Sequence, residues 1–231
     1  MGGRDPLDLL EGRIGHRFAD RALLERAVSH RSWIAETEAT ESNERLEFLG
    51  DAVLGWVVAD LAYRRFSDLG EGTLTDLRKS VVNARALAVV AREVDLGRHI
   101  RLGRGEAAAR GADKDSILSD ALEAVIGAVY VDAGERAAFG VVERLVGPHL
   151  DRAPATLHTL DAKSALQERL ATLGLPAPEY STSASGPDHD KRFEVSVSAG
   201  AGELGRGRGR SKKLAEQAAA AEALAALADA H

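Results

Sequence analysis

Cysteine is absent from this sequence, and aromatic residues make up only 4% of it. The lack of cysteine excludes disulfide bonds and thiolate metal sites, and the scarcity of aromatics argues against a platform for stacking single-stranded bases. No apolar run approaches the ~18 to 20 residues of a membrane-spanning helix. The N-terminal stretch MGGRDPLDLL lacks the basic segment and apolar core of a secretory signal. We therefore predict a cytoplasmic protein with no membrane partner.

Net positive charge is also lacking, since 30 basic residues face 36 acidic ones and the net charge is −6. This balance argues weakly against a nucleic-acid partner, because phosphate binding depends on Lys and Arg. The exception is RGRGRSKK at residues 206–213, which carries five positive charges and no negative one. This run predicts a basic patch for phosphate, although a solubilising surface is the alternative.

The length of 231 residues suits one or two domains. Over residues 1–150 apolar residues recur at three- and four-residue spacing, which predicts an all-helical domain. The stretch 151–159, DRAPATLHT, has no apolar stripe and predicts a linker. Residues 160–231 predict a small α+β domain in the order α-β-β-β-α.

In this second domain, EYSTSAS and RFEVSVSA alternate as β-strands do. ELGRGRGR is a candidate third strand, whose glycines leave its boundaries uncertain. The alanine-rich SKKLAEQAAAAEALAALA predicts a closing helix with Ser211 as its N-cap.

An acidic constellation lies within the core-like stretch NERLEFLGDAVL. Glu44, Glu47 and Asp51 fall within about 60° of one another on one helical face. Asp120 and Glu123, three residues apart in SILSDALEAVIGAV, repeat the pattern on a second helix. Like charges at such spacings repel, so basic side chains or a metal ion must offset them.

Two facing helices with these carboxylates would hold one or two magnesium or manganese ions, a device used to cut phosphodiesters. Glu71, in LGEGT, is a candidate for the rim. The alternative is a solvated, self-paired helix face, which is the usual fate of an isolated acidic pair. The presence of two such helices favours the metal site.

Three other features have plainer interpretations. The glycine-rich LGRGEAAARG lacks the GK[ST] ending of a P-loop, so we expect a flexible loop and no nucleotide cofactor. His16 and His30 are predicted to cap or pack, and Trp33 and Trp56 to lie in the core or an interface.

NERLEFLGDAVL resembles the signature of the ribonuclease III family. The similarity includes SHRSW, GEGTLTDLRKSVVN, LGRGE and SILSDALEAVIGAVYVD, in order across most of residues 15–150. The resemblance implies that Glu47, Asp51, Asp120 and Glu123 ligate magnesium, with manganese as a substitute. It implies catalytic roles for Asp51 and Glu123, and places Glu44 and Glu71 along the cleavage valley. It also implies a homodimer in which Phe48 packs across the two-fold interface.

Residues 161–229 resemble the double-stranded RNA-binding domain. The resemblance implies that Ser164, Gln167 and Glu168 reach one minor groove and that His189, in GPDH, enters the next. Lys212 and Lys213, at the start of the closing helix, would meet phosphates, as the positive end of a helix favours. Such contacts follow the shape of A-form RNA more than its sequence.

Together these resemblances imply a magnesium-dependent endoribonuclease specific for double-stranded RNA. The implied products carry 5′-phosphate and 3′-hydroxyl ends with short 3′ overhangs, and the implied substrates are ribosomal RNA precursors and structured messenger RNAs. Two rivals remain: a duplex-binding protein that has lost its chemistry, and a metal-dependent phosphohydrolase with another substrate.

Overall fold

The computed structural model describes residues 5–38, 41–157, 162–187, 191–200 and 202–229. The chain divides into two compact units, Met1–Ala153 and Pro154–His231. In the described part of the chain, no helix combines the length and apolar character needed to cross a membrane.

The first unit is built from helices. They are Pro6–Ile14 (α1), Arg21–Ala27 (α2), Arg31–Ile34 (α3), Glu44–Arg65 (α4), Glu71–Val81 (α5), Ala84–Glu93 (α6), Arg104–Ala108 (α7) and Asp115–Leu157 (α8). Short polar side chains cap several of them: Asp5, Asp20 and Asn83 each accept a hydrogen bond from a backbone N–H of the following first turn. The predicted all-helical architecture is confirmed.

The first half of α8 forms the centre of this unit. Nearly every residue from Ile117 to Val129 is buried, on all sides of the helix, as expected for a helix enclosed by others. The helix is interrupted at Gly134, where φ is 77° and ψ is −172°, a backbone conformation that glycine adopts without steric cost. Close to this interruption, His16 Nε2 lies 2.9 Å from Asp132 Oδ2, so His16 has the packing role predicted for it.

Two local predictions need correction. Helix α8 continues through Leu157, so the first part of the predicted linker at 151–159 is helical, and the boundary between the units falls after Ala153. The predicted flexible loop LGRGEAAARG contains the short helix α7 and leads into a 3₁₀ turn at Gly111–Asp113. Both segments contain alanines, which have a high helix propensity. They can therefore be helical although they lack an apolar stripe.

The second unit has helix Ala162–Thr172 (α9), strands Glu179–Ser185 (β1), Arg192–Ala199 (β2) and Gly202–Gly209 (β3), and helix Lys212–Asp229 (α10). The strands form an antiparallel sheet in the order β1-β2-β3. Both helices share a buried core with the sheet, in which Leu166 and Leu170 of α9 meet Val195 and Val197 of β2. Ser211 Oγ accepts the Leu214 backbone N–H at 3.3 Å, so the predicted N-cap is confirmed.

The glycines of β3 allow the alanine-rich helix α10 to lie directly on the sheet. A Cβ at Gly205 would come within 2.6 Å of the Ala219 carbonyl oxygen, and one at Gly209 within 2.7 Å of the Ala215 backbone nitrogen. A side chain at Gly207 would overlap the helix backbone outright. The glycines that made this strand uncertain in the sequence are therefore required by the close approach of backbone to backbone.

Candidate active site

Helices α4 and α8 cross so closely that their backbones touch at two glycines. A Cβ on Gly50 would overlap the carbonyl oxygen of Glu123, and one on Gly127 would overlap that of Leu46. Gly50 lies between Glu47 and Asp51 in the sequence, and Gly127 lies one turn beyond Glu123. The crossing therefore occurs at the acidic residues of both helices and brings them together.

Three of these acids form what we call the carboxylate cluster: Glu47 of α4, and Asp120 and Glu123 of α8. One carboxylate oxygen from each lies within 4.8 Å of the other two. All three side chains are half-buried. Water therefore screens their charges less well than it would on an open surface.

Burial and mutual repulsion raise the pKa of two members of the cluster. The pKa of Glu123 rises to about 7, chiefly through burial and then through the charges of Asp51, Asp120 and Glu47. The pKa of Glu47 is also raised, first by burial and then by Asp120 and Glu44, while Arg31 opposes the rise. Without a cation, the cluster thus favours holding a proton near neutral pH.

The carboxylate cluster fits a divalent metal ion. Its donors are all carboxylate oxygens, the ligands that Mg²⁺ and Mn²⁺ prefer, and a cation would relieve the repulsion that raises the pKa of Glu123. Glu47, Asp120 and Glu123 are the residues that could hold it.

Asp51 and Glu44 lie beside the cluster, and both are exposed. Asp51 contributes the largest charge effect on the pKa of Glu123, although it is not one of the three convergent carboxylates. Glu44 accepts a hydrogen bond from Ser42 Oγ at 2.7 Å.

Within this single chain, Glu71 lies apart from the cluster. It begins α5, accepts a hydrogen bond from Thr75 Oγ1 at 3.0 Å, and lines a different groove with Tyr63 and Arg78. Its expected place along a cleavage valley stays a prediction. Phe48 on α4 is 82% exposed, so within one chain its ring is not packed.

A cleft of about 750 Å³ opens directly beside the carboxylate cluster, and we call it the side cleft. Glu47 and Asp120 belong to both the cluster and this cleft. The remaining wall comes from the segment around α3, the start of α4, α7 and the start of α8. Its lining residues are His30, Arg31, Ser32, Ala35, Asn43, Glu44, Glu47, Glu106, Lys114, Ser116, Ile117 and Asp120.

In the second unit, the residues predicted to bind RNA are on the surface where they are described. Ser164, Gln167 and Glu168 are exposed on α9, at spacings that put them on one face. Lys212 and Lys213 are exposed in the first turn of α10. His189 lies outside the described residues.

Within the basic run RGRGRSKK at residues 206–213, which was predicted to form a basic patch, two of the five basic side chains form close ion pairs. Arg206 Nε lies 2.6 Å from Glu203 Oε1, and Arg208 Nη2 lies 2.6 Å from Glu194 Oε1. Their intervening glycines face α10, so alternation along β3 turns these arginines to the other side of the sheet. Lys212 and Lys213 instead belong to a helix.

Sequence reasoning missed Gly50 and Gly127. Their signal was available, because each is a glycine inside a long apolar helix and close to an acidic residue. A glycine in that setting costs helix stability, and a close backbone contact is one reason for it. The signal is partial, because Gly55 in the same helix α4 meets nothing within 4 Å.

Two family models match the chain. Residues 20–150 match "Ribonuclease-III-like", and residues 162–227 match "Double-stranded RNA binding motif". The matches cover the helical unit that carries the carboxylate cluster and the α+β unit with its exposed α9 and α10.

Proteins named Ribonuclease 3 resemble the chain over most of its length. The one from Streptomyces coelicolor is 52% identical over 215 residues, covering 93% of this chain and 78% of the relative. The one from Mycolicibacterium paratuberculosis is 50% identical over 230 residues, covering 98% and 95%. The solved nuclease domain of ribonuclease III from Campylobacter jejuni is 39% identical with a TM-score of 0.58, covering 63% of this chain and 96% of that domain.

A helical nuclease domain with an acidic site, followed by a double-stranded RNA-binding domain, defines an endoribonuclease that acts on duplex RNA. The chain belongs to the ribonuclease III family.

Proposed function

We propose that this ribonuclease III enzyme hydrolyses phosphodiester bonds of double-stranded RNA with magnesium as its cofactor, and that manganese can replace magnesium. The convergence of Glu47, Asp120 and Glu123 within 4.8 Å carries this proposal. A divalent cation at such a site supplies Lewis acidity toward a phosphoryl oxygen and a water nucleophile near neutral pH. Asp51, beside Glu123, would add negative charge to the same binding site.

The expected products follow from the proposed hydrolysis. Water adds a hydroxyl group to phosphorus, and the bond from phosphorus to the 3′ oxygen breaks. The phosphate therefore stays on the 5′ end of one fragment, and the other fragment ends in a 3′-hydroxyl. The short 3′ overhangs, and ribosomal RNA precursors and structured messengers as substrates, are proposed from the family resemblance, with action in the cytoplasm.

Exposed apolar surface supports the proposal of a homodimer. Phe48, Trp56 and Tyr63 are 82%, 46% and 73% exposed, and their spacing of seven or eight residues puts them on one face of α4. Large exposed apolar side chains on one face indicate an interface. A second solved nuclease domain of ribonuclease III from Campylobacter jejuni, 39% identical with a TM-score of 0.58, is described as flexible in a region involved in dimer formation. Two copies would present two cleavage sites to the two strands of a duplex.

The test is cleavage of a long, end-labelled RNA duplex with magnesium, with EDTA, and with a single-stranded control of the same sequence. We expect magnesium-dependent cuts in the duplex alone, with staggered ends. Binding without cutting in both magnesium and manganese would refute the catalytic proposal in favour of a duplex-binding protein. Cutting of the single strand at an equal rate would refute the substrate class.

A further inference from the structure

The side cleft contains groups that the carboxylate cluster does not use. Its volume of about 750 Å³ lies within the ~300 to 1,000 Å³ of typical small-ligand sites. It shares Glu47 and Asp120 with the cluster. A ligand bound in the side cleft would therefore directly adjoin a ligand bound at the metal site.

Arg31 is the most available cation of the side cleft. Its side chain is 74% exposed, and its ion pair with Glu44 is long, at 3.8 Å. Its charge nevertheless reaches the cluster, because it lowers the pKa of Glu47. The planar N–H donors of a guanidinium are well suited to phosphate oxygens.

His30 presents one defined hydrogen-bond donor to the side cleft. The Ser32 backbone N–H donates to His30 Nδ1 at 3.2 Å, and Ser32 Oγ lies 2.8 Å from the same nitrogen. Ser32 Oγ also accepts the Gly103 N–H at 2.9 Å. Because the Ser32 backbone N–H donates to Nδ1, this ring nitrogen is an acceptor. With Nδ1 accepting, the neutral ring carries its hydrogen on Nε2.

This arrangement confirms the predicted capping role of His30 and adds a second role. Nδ1 caps α3, while Nε2 has no hydrogen-bond partner among the residues that the structure describes. Burial lowers the pKa of His30, with a further contribution from Arg31, against the opposing charges of Glu106, Asp120 and Glu44. The ring is therefore a neutral donor near neutral pH.

The charges of the side cleft divide into a paired and an unpaired set. Lys114 Nζ lies 2.6 Å from Glu106 Oε1, so these two side chains largely neutralise each other. Glu44, Glu47 and Asp120 supply negative charge on the side of the cluster. With a divalent cation at the cluster, Arg31 becomes the charge that favours an anion in the side cleft.

We propose that the side cleft binds the backbone of the RNA strand being cut, with Arg31 and the Nε2–H of His30 contacting a phosphate next to the scissile one. The inference rests on the proposed function, because it needs a phosphodiester chain at the carboxylate cluster. Both residues are binding residues in this account and take no part in the bond-breaking step.

The test compares Arg31→Ala, Arg31→Lys and the matched control Arg17→Ala in the full chain. Arg17 is an exposed arginine of the same unit that lines a different cleft. Arg17→Ala therefore removes the same charge at a different position. We expect Arg31→Ala to raise KM for duplex RNA about tenfold with kcat within about twofold, and to reduce the salt slope of binding by about 0.9. Arg31→Lys should recover part of the loss, and Arg17→Ala should change neither.

A KM of Arg31→Ala equal to that of the wild type, in a wild-type protein that cuts duplex RNA, overturns the inference and leaves the proposed function standing. Equal effects of Arg17→Ala and Arg31→Ala also overturn it, because they reduce the effect to net charge. A wild-type protein that cuts no duplex removes the proposed function itself.

His30 is tested by His30→Ala and His30→Gln, with KM, kcat and melting temperature measured for each. We expect His30→Ala to raise KM about fivefold, and His30→Gln, which keeps an N–H donor, to recover part of it. Both lose the ring cap and should melt at a similar temperature. A lowered melting temperature with unchanged KM in both variants would leave His30 only its capping role and overturn its part in the proposal.

Discussion

The two units treat charge in opposite ways. In the helical unit, Glu47, Asp120 and Glu123 converge half-buried, and their mutual repulsion raises the pKa of Glu123 to about 7. In the α+β unit, two of the five basic residues in the most basic run of the sequence are paired, since Arg206 and Arg208 form ion pairs with Glu203 and Glu194.

The difference distinguishes charged side chains that pair with each other on the surface from charged side chains that are arranged to bind a ligand. Exposed ion pairs such as those on β2 and β3 contribute little stability each, and they leave little charge for a ligand. Like charges held together lower stability unless a proton, a basic side chain or a bound cation offsets the repulsion. Part of the dense positive charge in the sequence is therefore paired with neighbouring acids, whereas convergence of like charge indicates the site.

Removing one carboxylate of the cluster should have the largest effect. Glu123→Gln keeps the side-chain shape but removes a charged ligand, so we expect cleavage of duplex RNA to fall on the order of 10³-fold or more, with duplex binding changed less than about twofold. Single-turnover cleavage and a gel-shift titration measure the two. The control Glu135→Gln changes an exposed glutamate of the same helix and should cleave normally. An equal loss of binding and cleavage would indicate that Glu123 has a structural role instead of a catalytic one.

The helix crossing that creates the cluster should be nearly as sensitive. Gly127→Ala forces a Cβ into the Leu46 carbonyl, so we expect a loss of about 3 kcal/mol in the free energy of unfolding of the helical unit. Gly140→Ala, in the same helix, meets nothing within 4 Å and should stabilise by about 0.5–1 kcal/mol. Urea unfolding followed by circular dichroism compares them. Equal stabilities would show that the helices do not approach this closely.

The pH dependence of stability tests the repulsion directly. The pKa of Glu123 is raised from 4.5 to about 7, so the folded protein holds this proton more tightly than the unfolded chain. Its contribution to stability is therefore lost as pH rises from 4.5 to about 7. In EDTA, calorimetry should show the wild type losing several degrees more than Glu123→Gln across this window. Magnesium should recover the lost melting temperature of the wild type at the upper end of this window. Parallel shifts of the two proteins with pH in EDTA would refute the effect.

The lysines at the start of α10 should give the smallest effect. Lys212 Nζ lies 3.9 Å from Glu216 Oε1, so part of the charge of Lys212 is already offset. The other oxygen of this carboxylate, Oε2, lies 2.6 Å from Lys163 Nζ. Lys213→Ala should weaken duplex binding about fivefold, and Lys212→Ala about twofold, each with a smaller salt slope. Binding titrations at several salt concentrations separate them. A larger loss at Lys212 would mean that RNA displaces Glu216 from it.

Most of the second unit could be predicted from the sequence, because two-residue alternation and an alanine-rich helix are local signals. Strands β1 and β2 have the predicted bounds. The third strand was uncertain, because its glycines weaken a strand in isolation. The glycines are required because α10 packs directly on this strand. Local sequence patterns contain no information about this contact with another segment.

The candidate site was partly predictable. Helical periodicity placed Glu44, Glu47 and Asp51 on one face and paired Asp120 with Glu123, but it could not show that the two helices cross. Glu71 could not be assigned to the cluster or excluded from it by spacing. His30 was predicted to cap, and only its surroundings in the fold show that its other nitrogen remains available.

By itself the sequence determined the helical and α+β units, the acidic faces of two helices and the resemblance to ribonuclease III, because these depend on neighbours within a few turns of chain. Only the tertiary structure decided which carboxylates converge, which cations are paired and where a cleft opens beside them. The convergence of the carboxylates depends on how closely the backbones approach at Gly50 and Gly127, and the packing of α10 depends on the glycines of β3. Approach distance is a property of two segments packed together, and neither segment specifies it alone.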